Sequence, residues 1–226
     1  MLFIKVTSPK GGQAYLTKAL AEALNEGLRV GWLISGGSNA ALASDIRRSL
    51  PSNKLGYLKI ALVDERYGRL GHSDSSFTKL QAAGFDFSGV DFRPIITSDD
   101  LNFQQTLSNY EHQIQDIFEG TDIVFGQFGI GSDGHTAGIL PHSPAAVSGK
   151  QLVIGYKGAD FERITISFKA ISLINEAYVF AFGEDKLRAL SLLGSRDIAL
   201  DDQPAQIFRQ SGGKSFIIND MIGDKP

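Results

Sequence analysis

The chain has 226 residues, a net charge of −3 and 42% hydrophobic residues, enough for a sizeable core in one large domain or two small ones. It has no global basic field to attract nucleic acid, and with no cysteine it has no disulfide, thiolate catalysis or Cys-ligated metal. The lack of cysteine fits a reducing cytosol, and no run approaches the roughly 18 apolar residues needed to cross a membrane, so the expectation is a cytoplasmic protein without membrane or nucleic-acid partners.

Strand and helix candidates then alternate along the chain. Residues 2–6 read as an edge strand, too short in apolar length for a signal peptide. Residues 14–26 read as a helix with Leu16, Leu20, Ala23 and Leu24 on one face and Gly27 as its stop. A buried strand at 29–34, a helix at 38–50 and a strand at 59–63 follow, then a polar segment over 64–76. Residues 101–118 carry Phe103, Leu107, Tyr110, Ile114, Ile117 and Phe118 at spacings of three and four, a long amphipathic helix. Strands are expected at 123–128, 163–168, 178–182 and 215–218, and a helix at 185–193. With no visible linker or repeat, the pattern predicts an α/β fold. It is a mostly parallel sheet flanked by helices, a modified Rossmann-like single domain over 1–226.

The most informative stretch is Gly129-Ile-Gly-Ser-Asp-Gly-His-Thr-Ala-Gly-Ile-Leu-Pro141. It follows the apolar strand at 123–128, so its polar residues fall at the carboxyl edge of a sheet, where α/β proteins bind ligands. Asp133 and His135 are therefore the candidates for chemistry. Gly129, Gly131 and Gly134 match a dinucleotide spacing, but Pro141 and Pro144 interrupt the helix that should follow. No acidic residue lies between 149 and 158 to hold a ribose. A dinucleotide is thus not expected, and no cofactor is.

Three further strand ends carry polar groups. Ser35-Gly36-Gly37-Ser38 joins a strand to a helix, where backbone N–H groups and hydroxyls can cradle a phosphate; the plain alternative is a turn with Ser38 as N-cap. Asp64-Glu65-Arg66 reaches the same edge if the sheet is parallel, and Arg66 can grip a phosphate with its planar fork. Lys186 follows the strand at 178–182 and is either a solvated first-turn lysine or a functional one placed against the helix dipole. His72 and His142 lie in loops beside these segments, and His112 falls off the apolar stripe of its helix. There is no HExxH, no GxSxG and no pair of histidines at ligand spacing, so no metal is expected.

Taken in order, these segments resemble the glucosamine-6-phosphate isomerase/6-phosphogluconolactonase family. Residues 34–38 resemble its phosphate loop, Asp64-Glu65-Arg66 with Asp74-Ser75-Ser76-Phe77 its DER…DSN segment, and 129–141 its GxGxDGHTASLFP motif. Residues 163–167, 183–186 and 204–206 are similar to its weaker signatures. The chain departs from the pattern at Asn39, Gly68, Ser76 and Gly138.

The resemblance implies hydrolysis of 6-phospho-glucono-1,5-lactone to 6-phosphogluconate in the oxidative pentose phosphate pathway. It implies His135 as general base on water, and Asp133 either orienting the imidazole or binding sugar hydroxyls. Glycine-loop N–H groups would stabilise the oxyanion. Ser35, Gly36, Gly37, Ser38, Asp64, Arg66, Gly131, Arg163 and Lys186 would bind the substrate. The deaminase branch is the alternative, but Leu140 stands where that branch places a Glu. A non-catalytic sugar-phosphate binder is the other.

Overall fold

The computed structural model describes residues 1–147 and 149–223, so the expected span of 1–226 includes four residues outside them. The elements in chain order are β1 (Leu2–Lys5), α1 (Pro9–Asn25), β2 (Val30–Ile34), α2 (Ala40–Arg48), β3 (Leu58–Leu62), β4 (Asp64–Arg66), α3 (Ser76–Ala82), β5 (Asp91–Arg93), α4 (Phe103–Gly120), β6 (Ile123–Gly129), β7 (Val153–Lys157), β8 (Glu162–Ile166), α5 (Phe168–Ser172), β9 (Glu176–Ala181), α6 (Leu187–Ser195), α7 (Ile207–Gln210) and β10 (Lys214–Asn219). Seven strands form one parallel sheet in the order β1-β10-β9-β6-β2-β3-β5. The fold is the expected α/β sheet flanked by helices, with β1 at its edge. Among the described residues no helix is long and apolar enough to cross a membrane.

The order locates the ligand crevice. From β2 the chain builds outward through β3 to β5, then returns to the other side of β2 and builds through β6 and β9 to β10. The loops leaving β2 and β6 therefore part at a topological switch point, where open parallel sheets bind ligands. The core beneath is made of residues such as Trp32, Leu33, Ile34, Ile60 and Phe128, all fully buried.

Local chemistry explains most boundaries. α1 begins at Pro9, five residues before the expected start, because Ser8 caps it by accepting from the Gly11 amide (3.3 Å) and Pro9 occupies the first turn. Gly11 and Gly12 obscure that start. Gly12 is required there, since a Cβ would come 2.3 Å from the Ile218 Cγ2 methyl of β10. Gly27, with φ of +80°, ends the helix as expected. Asn102 and Gln105 form a capping box for α4. Ser167 ends β8 early by capping α5, accepting from the Ala170 amide at 3.2 Å.

Six elements are absent from the periodicity: β4, β5, β7, α3, α5 and α7. β4 is Asp64-Glu65-Arg66 itself, strand only because it pairs with β8 in a small antiparallel sheet ordered β4-β8-β7. Its middle residue, Glu65, points inward and is 1% exposed. The Glu65 carboxylate accepts from the amides of Ser76 (2.6 Å), Arg66 (2.9 Å) and Phe77 (3.1 Å) and from the Ser75 hydroxyl (2.9 Å). Burial raises its carboxyl above the usual carboxylate range, while the Ser76, Phe77 and Ser75 bonds oppose that rise. One carboxylate thus pins the start of α3 to the sheet.

Replacing Glu65 with Ala orphans these buried donors, each worth about 1–3 kcal/mol when unsatisfied. The variant should lose about 2–4 kcal/mol of unfolding free energy in urea titration. A loss below about 0.5 kcal/mol, the scale of ordinary surface changes, would show that α3 is held by other contacts.

Candidate active site

A cavity of about 730 Å³ opens at the switch point. It is walled by the ends of β2, β6 and β9, by β4 and β8, and by the first turns of α1, α2 and α3. Parallel pairing is what delivers Ser35, Gly129 and Ala181 to one edge, for β6 lies between β2 and β9 in register.

Residues 129–141 fold into a tight loop. The Gly131 amide donates to the His135 carbonyl (2.9 Å), the Gly134 amide to the Gly131 carbonyl (3.0 Å) and the Ile139 amide to the Thr136 carbonyl (3.0 Å). Thr136 Oγ1 donates to the Gly129 carbonyl at 2.9 Å, and the Gly138 amide donates to Thr165 Oγ1 at 3.0 Å, tying the loop to β8. Gly134 takes φ of +86°, a conformation suited to glycine. At Gly131 a Cβ would fall 2.1 Å from His135 Nδ1, so the imidazole lies directly on that glycine. The amides of Gly131 and Gly134 are spent inside the loop, so these two are not among the glycine-loop N–H groups left for an oxyanion.

His135 lines the cavity and Asp133 does not; Asp133 borders a smaller cavity of about 320 Å³ behind the loop, with Ser132 and Arg188. Asp133 Oδ1 sits 2.7 Å from His135 Nδ1 and accepts from the His135 amide at 3.1 Å. Desolvation opposes its charge, yet the His135 amide and ring hold its carboxyl below the usual range. Of the two alternatives for Asp133, this geometry favours orienting the imidazole: Nδ1 is engaged, and Nε2 is left for the cavity.

Of the expected substrate contacts, Ser35, Gly37, Ser38, Asp64, Arg66, Gly131, Arg163 and Lys186 all line the cavity. Gly36 does not. It is a close-approach residue, since a Cβ there would lie 2.5 Å from the Ser76 carbonyl oxygen at the start of α3. Ser38 is not the cap of α2: Asn39 holds that position without a side-chain cap bond. Instead Asn39 Nδ2 donates to the Phe128 carbonyl (3.1 Å), and Gln127 Nε2 donates to the Asn39 carbonyl (3.2 Å), clamping the loop to β6. The Gly37 and Ser38 amides have no acceptor among the described residues, which leaves them free for an anion.

Pairing of β4 with β8 sets Arg66 opposite Arg163 and Asp64 opposite Thr165. Burial raises the Asp64 carboxyl above its usual range, with His135, Arg163, Arg66 and Lys79 pulling it down. Arg66 stands over the Phe161 ring, 5.6 Å from its centroid. Arg163 is fastened to both carboxylate oxygens of Asp160 at 2.9 Å, and Lys186 to Asp185 at 2.8 Å. His72 bonds the Arg66 carbonyl (2.8 Å) and His142 pairs with Asp201 (3.2 Å); neither lines the cavity, and His112 is exposed.

The lining also includes Ser8, Lys10 and Gln13 of the α1 start, Asn39, Asp45, Ser76 and Lys79, none of which the motifs marked as binding groups. Ser8-Pro9 carries a helix-start signal, which the expected start at residue 14 passed over. Lys79 was not, because α3 has no periodic signal over its seven residues. Among the described residues no cluster of three or more His, Asp or Glu side chains is arranged to hold a metal ion.

The comparisons with known proteins converge on one group. The 6-phosphogluconolactonase of Synechocystis sp. is 26% identical over 187 residues, covering 79% of this chain and 76% of that protein. The 6-phosphogluconolactonase of Nostoc sp. is 28% identical over 170 residues, covering 70% and 68% respectively. The crystal structure of a 6-phosphogluconolactonase from Shewanella baltica superposes with a TM-score of 0.81 at 18% identity, over 97% of each chain, and so shares the fold. The family profile described as glucosamine-6-phosphate isomerases/6-phosphogluconolactonase matches residues 10–217, and the chain belongs to that family.

Proposed function

We propose that this protein hydrolyses 6-phospho-glucono-1,5-lactone to 6-phosphogluconate, with His135 as the base. The observation that carries the reading is the 2.7 Å Asp133–His135 contact, made from behind the ring while His135 borders the cavity. A carboxylate bonded to Nδ1 fixes the tautomer whose Nε2 can accept a proton. In the reaction, a water beside C1 gives its proton to Nε2 as its oxygen adds to the lactone carbonyl. The tetrahedral intermediate collapses, the C1–ring oxygen bond breaks, and the ring oxygen takes the proton back from His135. The carboxylic acid so formed loses its proton to solvent.

Binding groups at the other walls support a phosphorylated substrate. The free Gly37 and Ser38 amides, Ser38 itself, Arg66 and Lys186 are suited to the phosphate, with Arg163 beside Arg66. Holding the phosphate far from C1 fixes the lactone against His135, so remote binding energy serves the chemical step. Asp64 is suited to sugar hydroxyls. The deaminase reading is weaker, because Leu140 offers no group to relay a proton, and the named relatives above are lactonases.

Replacing His135 with Ala should lower turnover by about 10²–10⁴-fold, the usual worth of a positioned base, while affinity for 6-phosphogluconate changes little. Near-normal turnover in that variant would sink the mechanism.

Replacing Arg66 or Lys186 with Ala should weaken phosphorylated ligands by at least about tenfold, since a charge-assisted hydrogen bond contributes roughly 1.5–3 kcal/mol. Steady-state kinetics on the unphosphorylated lactone should change far less. Equal losses on both lactones would give these side chains another part.

The purified protein should release no ammonia from glucosamine 6-phosphate, and should accelerate lactone hydrolysis in excess EDTA. A coupled assay with lactone freshly made by glucose-6-phosphate dehydrogenase reads the second. Ammonia release at a comparable rate would favour the deaminase, and EDTA inhibition reversed by a divalent ion would reveal a metal requirement.

A further inference from the structure

Five cations line the cavity among the described residues: Lys10, Arg66, Lys79, Arg163 and Lys186. Arg163 is committed to Asp160 and Lys186 to Asp185, while Lys10 is exposed. Lys79 differs from all of these. It is half-buried and has no carboxylate within ion-pair distance among the described residues. Its Nζ donates to the backbone carbonyl of Asp74 at 3.3 Å. Arg66 Nη1 donates to the same oxygen, also at 3.3 Å, and stands 3.9 Å from the Asp74 carboxylate.

Two cationic heads therefore converge on one neutral acceptor. A half-buried ammonium has given up hydration, and a carbonyl restores only part of it. Two like charges at such range also repel; the Asp64 carboxyl, which interacts electrostatically with both, offsets part of that repulsion, and an anion between them relieves the remainder and the lost hydration. The surroundings agree. Ser76 lies one helical turn before Lys79 on the same face of α3, lines the same cavity, and presents the carbonyl against which Gly36 packs. Across that contact lie the Gly37 and Ser38 amides without acceptors.

We propose that Lys79 is a phosphate-binding residue. With Arg66 and the 35–38 loop it seats the phosphoryl dianion of the sugar phosphate, Arg66 supplying a planar fork and Lys79 a mobile point charge. This rests on the reading that the cavity takes a phosphorylated lactone.

The test is calorimetric titration of the wild type, Lys79→Met, Lys79→Gln and Lys79→Arg with 6-phosphogluconate and with gluconate, alongside lactone kinetics and thermal melts. Lys79→Met and Lys79→Gln should bind 6-phosphogluconate about tenfold more weakly and raise KM for the phosphorylated lactone to match, with kcat little changed. Lys79→Arg should stay within about threefold of wild type, because it keeps the charge. Gluconate should bind all four alike. Wild-type affinity for 6-phosphogluconate in a folded Lys79→Met or Lys79→Gln protein would overturn the assignment, as would an equal loss with gluconate. A wild type that neither binds 6-phosphogluconate nor hydrolyses the lactone would instead overturn the reading beneath it.

Discussion

The buried carboxylate of Glu65 organises one whole wall of the cavity. It sits in the middle of a three-residue strand whose neighbours alternate outward, so Asp64 and Arg66 border the cavity while Glu65 turns inward. Its bonds to Ser75, Ser76 and Phe77 draw the start of α3 against the sheet. That brings the Ser76 carbonyl to Gly36, where no side chain fits, and swings Lys79 toward Arg66. The loop after β2, the charged strand and the helix after it are thus one mechanical unit. A charge in a dry environment is costly unless fully bonded, and here that requirement makes the unit rigid.

A second, smaller constraint governs the opposite wall. The loop after β6 closes on itself through the Gly131–His135 backbone bond, and the missing side chain at Gly131 lets the imidazole lie flat against the turn. Asp133 then reaches Nδ1 from the rear. Backbone closure, glycine and carboxylate together set one ring orientation, so little ordering remains when a ligand arrives. The loop spends the amides of Gly131 and Gly134 in doing so. Amides without acceptors among the described residues also lie at Gly37 and Ser38, across the crevice, which sets a side suited to anion binding opposite the side suited to proton transfer.

The cations show how charge is graded across that cavity. Arg163 and Lys186 already have carboxylate partners, and Arg66 has a distant one in Asp74. Such pairing keeps the site from carrying a large uncompensated field in a chain of net charge −3. Arg66 and Lys79 meet beside the loop at the carbonyl of Asp74, where neither has a close carboxylate partner among the described residues.

Much of this was legible in the chain alone. Apolar periodicity is enough to mark the parallel strands and the long helices, since a helix or strand with one greasy face must bury it. Parallel order then implies that every strand-end motif shares an edge, which groups Ser38, Arg66, His135 and Lys186 from the sequence alone. What periodicity could not reveal were β4, β5, β7, α3, α5 and α7, because each is too short to show a repeat, and the strands among them hold their shape through partners distant in sequence. Glu65 looks like its charged neighbours in the chain; only the pairing of β4 with β8 decides that it faces inward. Gly36 looks like a phosphate-loop glycine, and only the approach of Ser76 shows that it serves packing. Whether Asp133 meets the ring or the cavity, and whether Lys79 stands free or paired, depends on distances between separate segments. Composition and spacing carry local preferences, whereas those distances are set by the whole sheet closing around its core.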